Sequence, residues 1–174
     1  MVRIPPAPSG TGSARSQELL GAIKAKLGSV PNLFATLALS PAALDGYLGL
    51  SGALARGALR PALREQIALA LAGRNSCDYF ASAHSLFARK AGVSDADIDR
   101  GLVGAASDDR AAAALAFATA IVDQRGQVSD QELAAIRSAG FSDAESSRSS
   151  LTWSRTSSAT TSISSPAPRS TSPL

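Results

Sequence analysis

The chain is poor in sulfur and in aromatic surface. Its 174 residues include one cysteine, one methionine, one tryptophan, two tyrosines and five phenylalanines. One cysteine excludes an internal disulfide framework, and one cysteine beside one histidine makes no convincing zinc site. A reducing cytoplasm is the expected compartment, and no metal or other cofactor is expected. A surplus of one charge is missing from the body: Met1–Glu145 holds fourteen Lys/Arg against fourteen Asp/Glu, so the formal net charge of +3 resides in Arg148, Arg155 and Arg169. With no basic stripe, nucleic acid is not an expected partner. Long apolar runs are absent as well. The longest, Ala111 to Val122, falls far short of the roughly 20 residues needed to span a bilayer. The Pro- and Gly-containing start, Met1 to Gly12, lacks the apolar stretch of a signal peptide and reads as a flexible arm over 1–16. A soluble protein with no membrane contact follows as the expectation.

Alanine and leucine dominate, at helical spacing, which points to one all-helical domain over 17–145. Gln17–Leu27 reads as a helix stopped by Gly28, and Pro31 opens a short second helix that breaks at Ser40-Pro41. Ala42–Ala55 follows, with Leu44, Tyr47, Leu48, Leu50 and Leu54 on one face. Beyond the central segment, Ser94-Asp-Ala-Asp97 caps a helix reaching Val103. The next runs from Asp108 to about Gln124 with a small-residue face at Ala112, Ala116 and Ala120. Ser129-Asp-Gln-Glu132 is a capping box for a helix that stops at Gly140.

The centre of the chain is Glu65–His84, which contains its only cysteine and only histidine. Helical pattern fails at Gly73-Arg74-Asn75-Ser76 and then resumes, the signature of an αα-hairpin. Glu65 and His84 are equally far from the turn's middle residues, so they should face each other across the antiparallel arms. On the second arm Cys77, Phe80 and His84 share one stripe. With Ser76 as N-cap, Cys77 falls in the first helical turn, where open N–H groups and the helix dipole favour a thiolate. Taken by itself, a lone cysteine is more often a small buried apolar residue, and His84 bonded to Glu65 can be a purely structural pair.

At these residues the chain resembles the alkylhydroperoxidase D / carboxymuconolactone decarboxylase family, whose redox members carry a glutamate, then Cys-x-x-Cys, then three residues and a histidine. Glu65, Cys77 and His84 fall on that spacing, and Phe80 stands where the second cysteine belongs. The resemblance extends to Lys24–Gly28, Val30–Phe34, Ser40-Pro41, Leu59–Glu65 and Gly92–Ala144. It implies an alkylhydroperoxidase D-like helical bundle around the central hairpin. It also implies a peroxidase-related antioxidant acting on organic hydroperoxides, an external thiol reductant as partner, and a homo-oligomer. The implied catalytic residues are Cys77, His84 and Glu65. Two other readings stay open: a non-redox decarboxylase-like enzyme using His84 and Glu65 as acid and base, and a non-catalytic family member.

Ser142-Asp-Ala-Glu145 announces one more helix, but 146–174 is rich in serine and threonine and has no acidic residue. Back-translated with one added nucleotide, Ser146–Ser150 becomes Ile-Val-Glu-Ile-Val, and the segment at Ala167–Pro173 becomes the family-like Thr-Glu-Ile-Asp-Phe-Pro. The tail is therefore read as a C-terminal helix thrown out of frame.

Overall fold

The structure, a computed structural model, describes residues 4–8 and 10–147. Regular structure among them is entirely helical: α1 (Ala14–Leu27), α2 (Asn32–Leu37), α3 (Pro41–Ala55), α4 (Pro61–Arg74), α5 (Asp78–Lys90), α6 (Asp95–Leu102), α7 (Asp109–Asp123) and α8 (Asp130–Ser138). A short helical segment over 143–147 follows. The part of the tail read as out of frame lies, from Arg148 onward, outside the described residues. The chain divides into two units, one up to Gly52 and one from Ala53.

In the first unit α1 begins at Ala14, three residues before the expected start, because Ser13 is its N-cap and accepts from the Ser16 N–H at 3.1 Å. This residue was missed because the apolar repeat that marks the helix begins only later. Upstream, the Ala7 N–H donates to the Ala35 carbonyl at 3.2 Å. Ile23, Ala38 and Leu44 form the buried centre, with Leu19, Phe34 and Leu48 packed around it. Ser16 is buried within this layer, and its hydroxyl donates to the Ala38 carbonyl at 2.7 Å, tying α1 to the end of α2.

The second unit is built around α4. Residues 67–72 of this helix are all buried, as expected of a helix covered on every side. Leu63, Ile67 and Leu71 pack with Leu115, Ala118 and Ile121 of α7, while Leu69 meets Ala88 of α5 and Ile98 of α6. Burying a leucine or isoleucine side chain contributes about 1.5–3 kcal/mol, so these contacts fix α4 as the centre of the unit. The buried face of α7 is Ala111, Ala114, Leu115, Phe117, Ala118 and Ile121, not the expected Ala112, Ala116 and Ala120. Alanine on every side of this helix leaves the larger Leu115, Phe117 and Ile121 to choose the inward face.

The capping signals at Ser94, Ser129 and Ser142 form as read. Ser129 and Glu132 make a reciprocal capping box. Ser142 and Glu145 repeat it, with Glu145 accepting from the Ser142 N–H at 2.9 Å and Ser142 Oγ accepting from the Glu145 N–H at 3.3 Å. Bonds from the backbone and side chain of Ser129 and Ser142 hold the two glutamates below the usual carboxylate pKa. A carboxylate with a depressed folded-state pKa contributes stability that is present above its unfolded value, 4.5 for glutamate, and is lost as the pH falls through the lower folded-state value. Thermal melts between pH 6 and 3, at about half-unit steps, should therefore show a fall in Tm beginning near pH 4.5. Glu132→Gln should flatten that fall. An unchanged acid slope in the variant would show that Glu132 is not part of the linkage.

Candidate active site

The turn between α4 and α5 differs from the sequence expectation: α4 continues through Gly73 and Arg74, and only Asn75, Ser76 and Cys77 separate the two helices. Ser76 is not an N-cap: its φ is 50°, in the left-handed region, whereas an N-cap is extended. Its N–H donates to the Gly73 carbonyl at 3.0 Å, and the Cys77 N–H donates to the Ala72 carbonyl at 2.9 Å. That pair of bonds is a Schellman motif closing α4, a motif that ordinarily announces itself with glycine at the left-handed position. Serine there hid it. Cys77 follows in extended geometry, φ −105° and ψ 91°, and is itself the N-cap of α5. It thus ends one helix and starts the next, and it is buried at 3% exposure.

Glu65 and His84 meet as expected. The contact between His84 Nδ1 and Glu65 Oε2 is 2.7 Å, with the His84 side chain 8% and the Glu65 side chain 20% exposed. With Nδ1–H donating to the carboxylate, Nε2 is left with its lone pair available for proton transfer. The imidazole lies in an aromatic wall. Phe80 stacks on it at 17° with ring centroids 5.7 Å apart, and Phe87 meets it edge-on at 6.1 Å. Tyr79 in turn packs edge-on against Phe80 at 5.6 Å.

Cys77 belongs to the same hairpin, at the N-cap of α5, seven residues before His84. Position 80, one turn before His84, touches the ring. The sequence places Glu65, Cys77, Phe80 and His84 in one hairpin; the structure brings Glu65, Phe80 and His84 into direct contact. Phe87 was overlooked, although its i+3 spacing from His84 is the signal that could have found it.

Arg64 buttresses the start of α4 by donating from one terminal nitrogen to the Ala55 carbonyl at 3.0 Å at the end of α3. Among the described residues, no group of three or more His, Cys, Asp or Glu side chains is placed to hold a metal ion, and no helix is long and apolar enough to cross a membrane.

Residues 41–123, which include the whole hairpin, match the carboxymuconolactone decarboxylase family. Among solved structures, the chain is similar to the alkylhydroperoxidase AhpD core of an uncharacterized peroxidase-related protein from Ralstonia eutropha JMP134, with a TM-score of 0.83 and 25% identity over 93% of this chain and 90% of that one. A peroxidase-related protein from Silicibacter sp. TM1040 superposes with a TM-score of 0.77 and 21% identity, covering 90% of this chain and 87% of that one. A cysteine-to-alanine variant of the debrominase Bmp8 in complex with 2,3,4-tribromopyrrole shares the fold, with a TM-score of 0.73 and 16% identity over 89% of this chain and 84% of that one. Comparison with curated proteins finds no match. Through residues 41–123 the chain is similar to the carboxymuconolactone decarboxylase family, and it has the alkylhydroperoxidase D-like fold.

Proposed function

We propose that the chain is a peroxidase-related antioxidant protein in which Cys77 reduces an organic hydroperoxide and the Glu65–His84 pair handles the proton. The observation that supports this most is the 2.7 Å contact between Glu65 and His84 inside the hairpin that carries the thiol. In the reaction, the Cys77 thiolate attacks the terminal peroxide oxygen, an S–O bond forms, and the O–O bond breaks. The alkoxide leaves as an alcohol after accepting a proton from the His84 side, and the sulfur is oxidised to a sulfenic acid. An external thiol then attacks that sulfur, expelling water and leaving a mixed disulfide, and a second external thiol restores Cys77. With Phe80 filling the turn between thiol and imidazole, proton transfer is indirect and turnover is slow. The reading includes a small or protein thiol as reductant, assembly of like chains, and a cytoplasmic location.

One observation favours a second reading. The imidazole is walled by the Phe80 and Phe87 rings, which suits acid/base chemistry on an apolar substrate without any thiol step. The debrominase neighbour is one case in which this fold serves a protein of different name and ligand.

Consumption of tert-butyl hydroperoxide under dithiothreitol separates the two. The parent should turn over slowly, Cys77→Ala should be inactive, and His84→Gln should lose about a hundredfold, the ordinary scale of a general acid. Full activity in Cys77→Ala would overturn the thiol reading, and a completely inactive parent would favour the acid/base one.

A further inference from the structure

A cavity of about 240 Å³ opens between the start of α4 and the start of α7, lined in part by Arg60, Leu63, Gln66, Asp108, Arg110 and Ala111. We propose that it binds a small organic monocarboxylate with an apolar body.

The Arg60 guanidinium and the Gln66 amide line this cavity, and neither has a hydrogen-bond or ion-pair partner among the described residues. Together they present a planar cationic fork and an amide N–H₂ to the same space, the donor set a carboxylate accepts from. Among the described residues no N-cap side chain caps the first-turn N–H groups of α4, since Arg60 at the N-cap makes no side-chain bond. The second cation is held in place: Arg110 donates to Glu145 at 3.1 Å and lies 4.1 Å over the Phe141 ring. Leu63 and Ala111 supply an apolar floor for the ligand's body.

Asp108 narrows the class. One of its oxygens accepts from the Ala111 N–H at 2.7 Å, and the carboxylate remains on the cavity wall. A ligand with a second negative charge would meet it, so a monocarboxylate is favoured over a dianion such as phosphate. The cavity is also separate from the Glu65–His84 pair. At 100° per residue, Ala62, Leu63 and Gln66 centre roughly 100° around α4 from Glu65. Occupancy therefore needs no thiol chemistry, and the test needs no peroxidase activity.

Titration of the full chain with benzoate, benzamide or inorganic phosphate at about pH 8, followed by amide NMR shifts, tests the assignment. Benzoate should produce saturable shifts at Leu63, Gln66 and Ala111. Arg60→Gln should weaken benzoate by about tenfold, the scale of one charge-assisted contact, and Gln66→Ala should weaken it severalfold. Arg60 is exposed, so its replacement leaves the core intact. Absence of saturable shifts, equal response to benzamide, or undiminished benzoate binding in Arg60→Gln would overturn the site. Phosphate binding as tightly as benzoate would overturn the monocarboxylate class.

Discussion

Gly73→Ala is expected to lower stability by about 3 kcal/mol or more, and Tm by about 6–12 °C. A β-carbon at Gly73 would lie within bonding distance of the Leu102 carbonyl: 2.8 Å separates it from the carbonyl carbon and 3.3 Å from the α-carbon. The obstacle is backbone at the end of α6, so it cannot swing aside as a side chain would. Either α6 lifts off α4 or α4 bends, and both open the layer formed by Leu69, Ala88 and Ile98. The same substitution at Gly46 of α3, where nothing lies within 4 Å of the added carbon, should raise stability by about 0.5–1 kcal/mol, because alanine is the better helix former. Thermal melts of the two variants beside the parent check the pair of signs. A neutral Gly73→Ala would mean that α6 does not rest on α4 at this point.

Phe80→Cys should have the larger functional effect and a stability cost with it. Phe80 is 4% exposed and covers one face of the His84 ring. Replacing it with cysteine removes most of a buried aromatic, at a cost of about 3 kcal/mol. It also places a thiol one turn from His84 and one turn from Cys77. The new thiol would be the one in reach of the imidazole, and Cys77 could resolve its sulfenic acid within the chain in place of an external thiol. Hydroperoxide consumption should rise at least tenfold over the parent, and that gain should vanish in the Phe80→Cys, His84→Gln double variant. If Phe80→Cys stays folded by circular dichroism yet gains nothing, the Glu65–His84 pair does not serve a thiol at position 80.

The pairing of Glu65 with His84 was legible because hairpin geometry is arithmetic: two residues equally far from a turn meet if both arms are helical. The capping boxes at Ser129 and Ser142 were legible for a similar reason, since each is decided within four residues. Cys77 as the joint of two helices was not, because its place depends on a left-handed Ser76, a conformation that sequence reserves for glycine. The approach of Gly73 to Leu102 and the gathering of Arg60, Gln66, Asp108 and Arg110 depend on which helices pack together. Nothing in the local pattern specifies that. The inward face of α7 was misread for want of contrast, as alanine looks alike on both sides.

The joint at Cys77 has a consequence for the permitted length of the chain. Its N–H completes the cap of α4 while its own backbone begins α5, so no spare residue separates the two helices. Adding or removing a single residue between Arg74 and Asp78 would rotate every side chain of α5 by about 100° and displace it by about 1.5 Å along the axis. His84 would then leave Glu65, and Phe80 and Ala88 would turn out of the core. The spacing from Glu65 to His84 is thus constrained independently of which residues occupy the turn, and insertions tolerated in most surface loops are closed to this one.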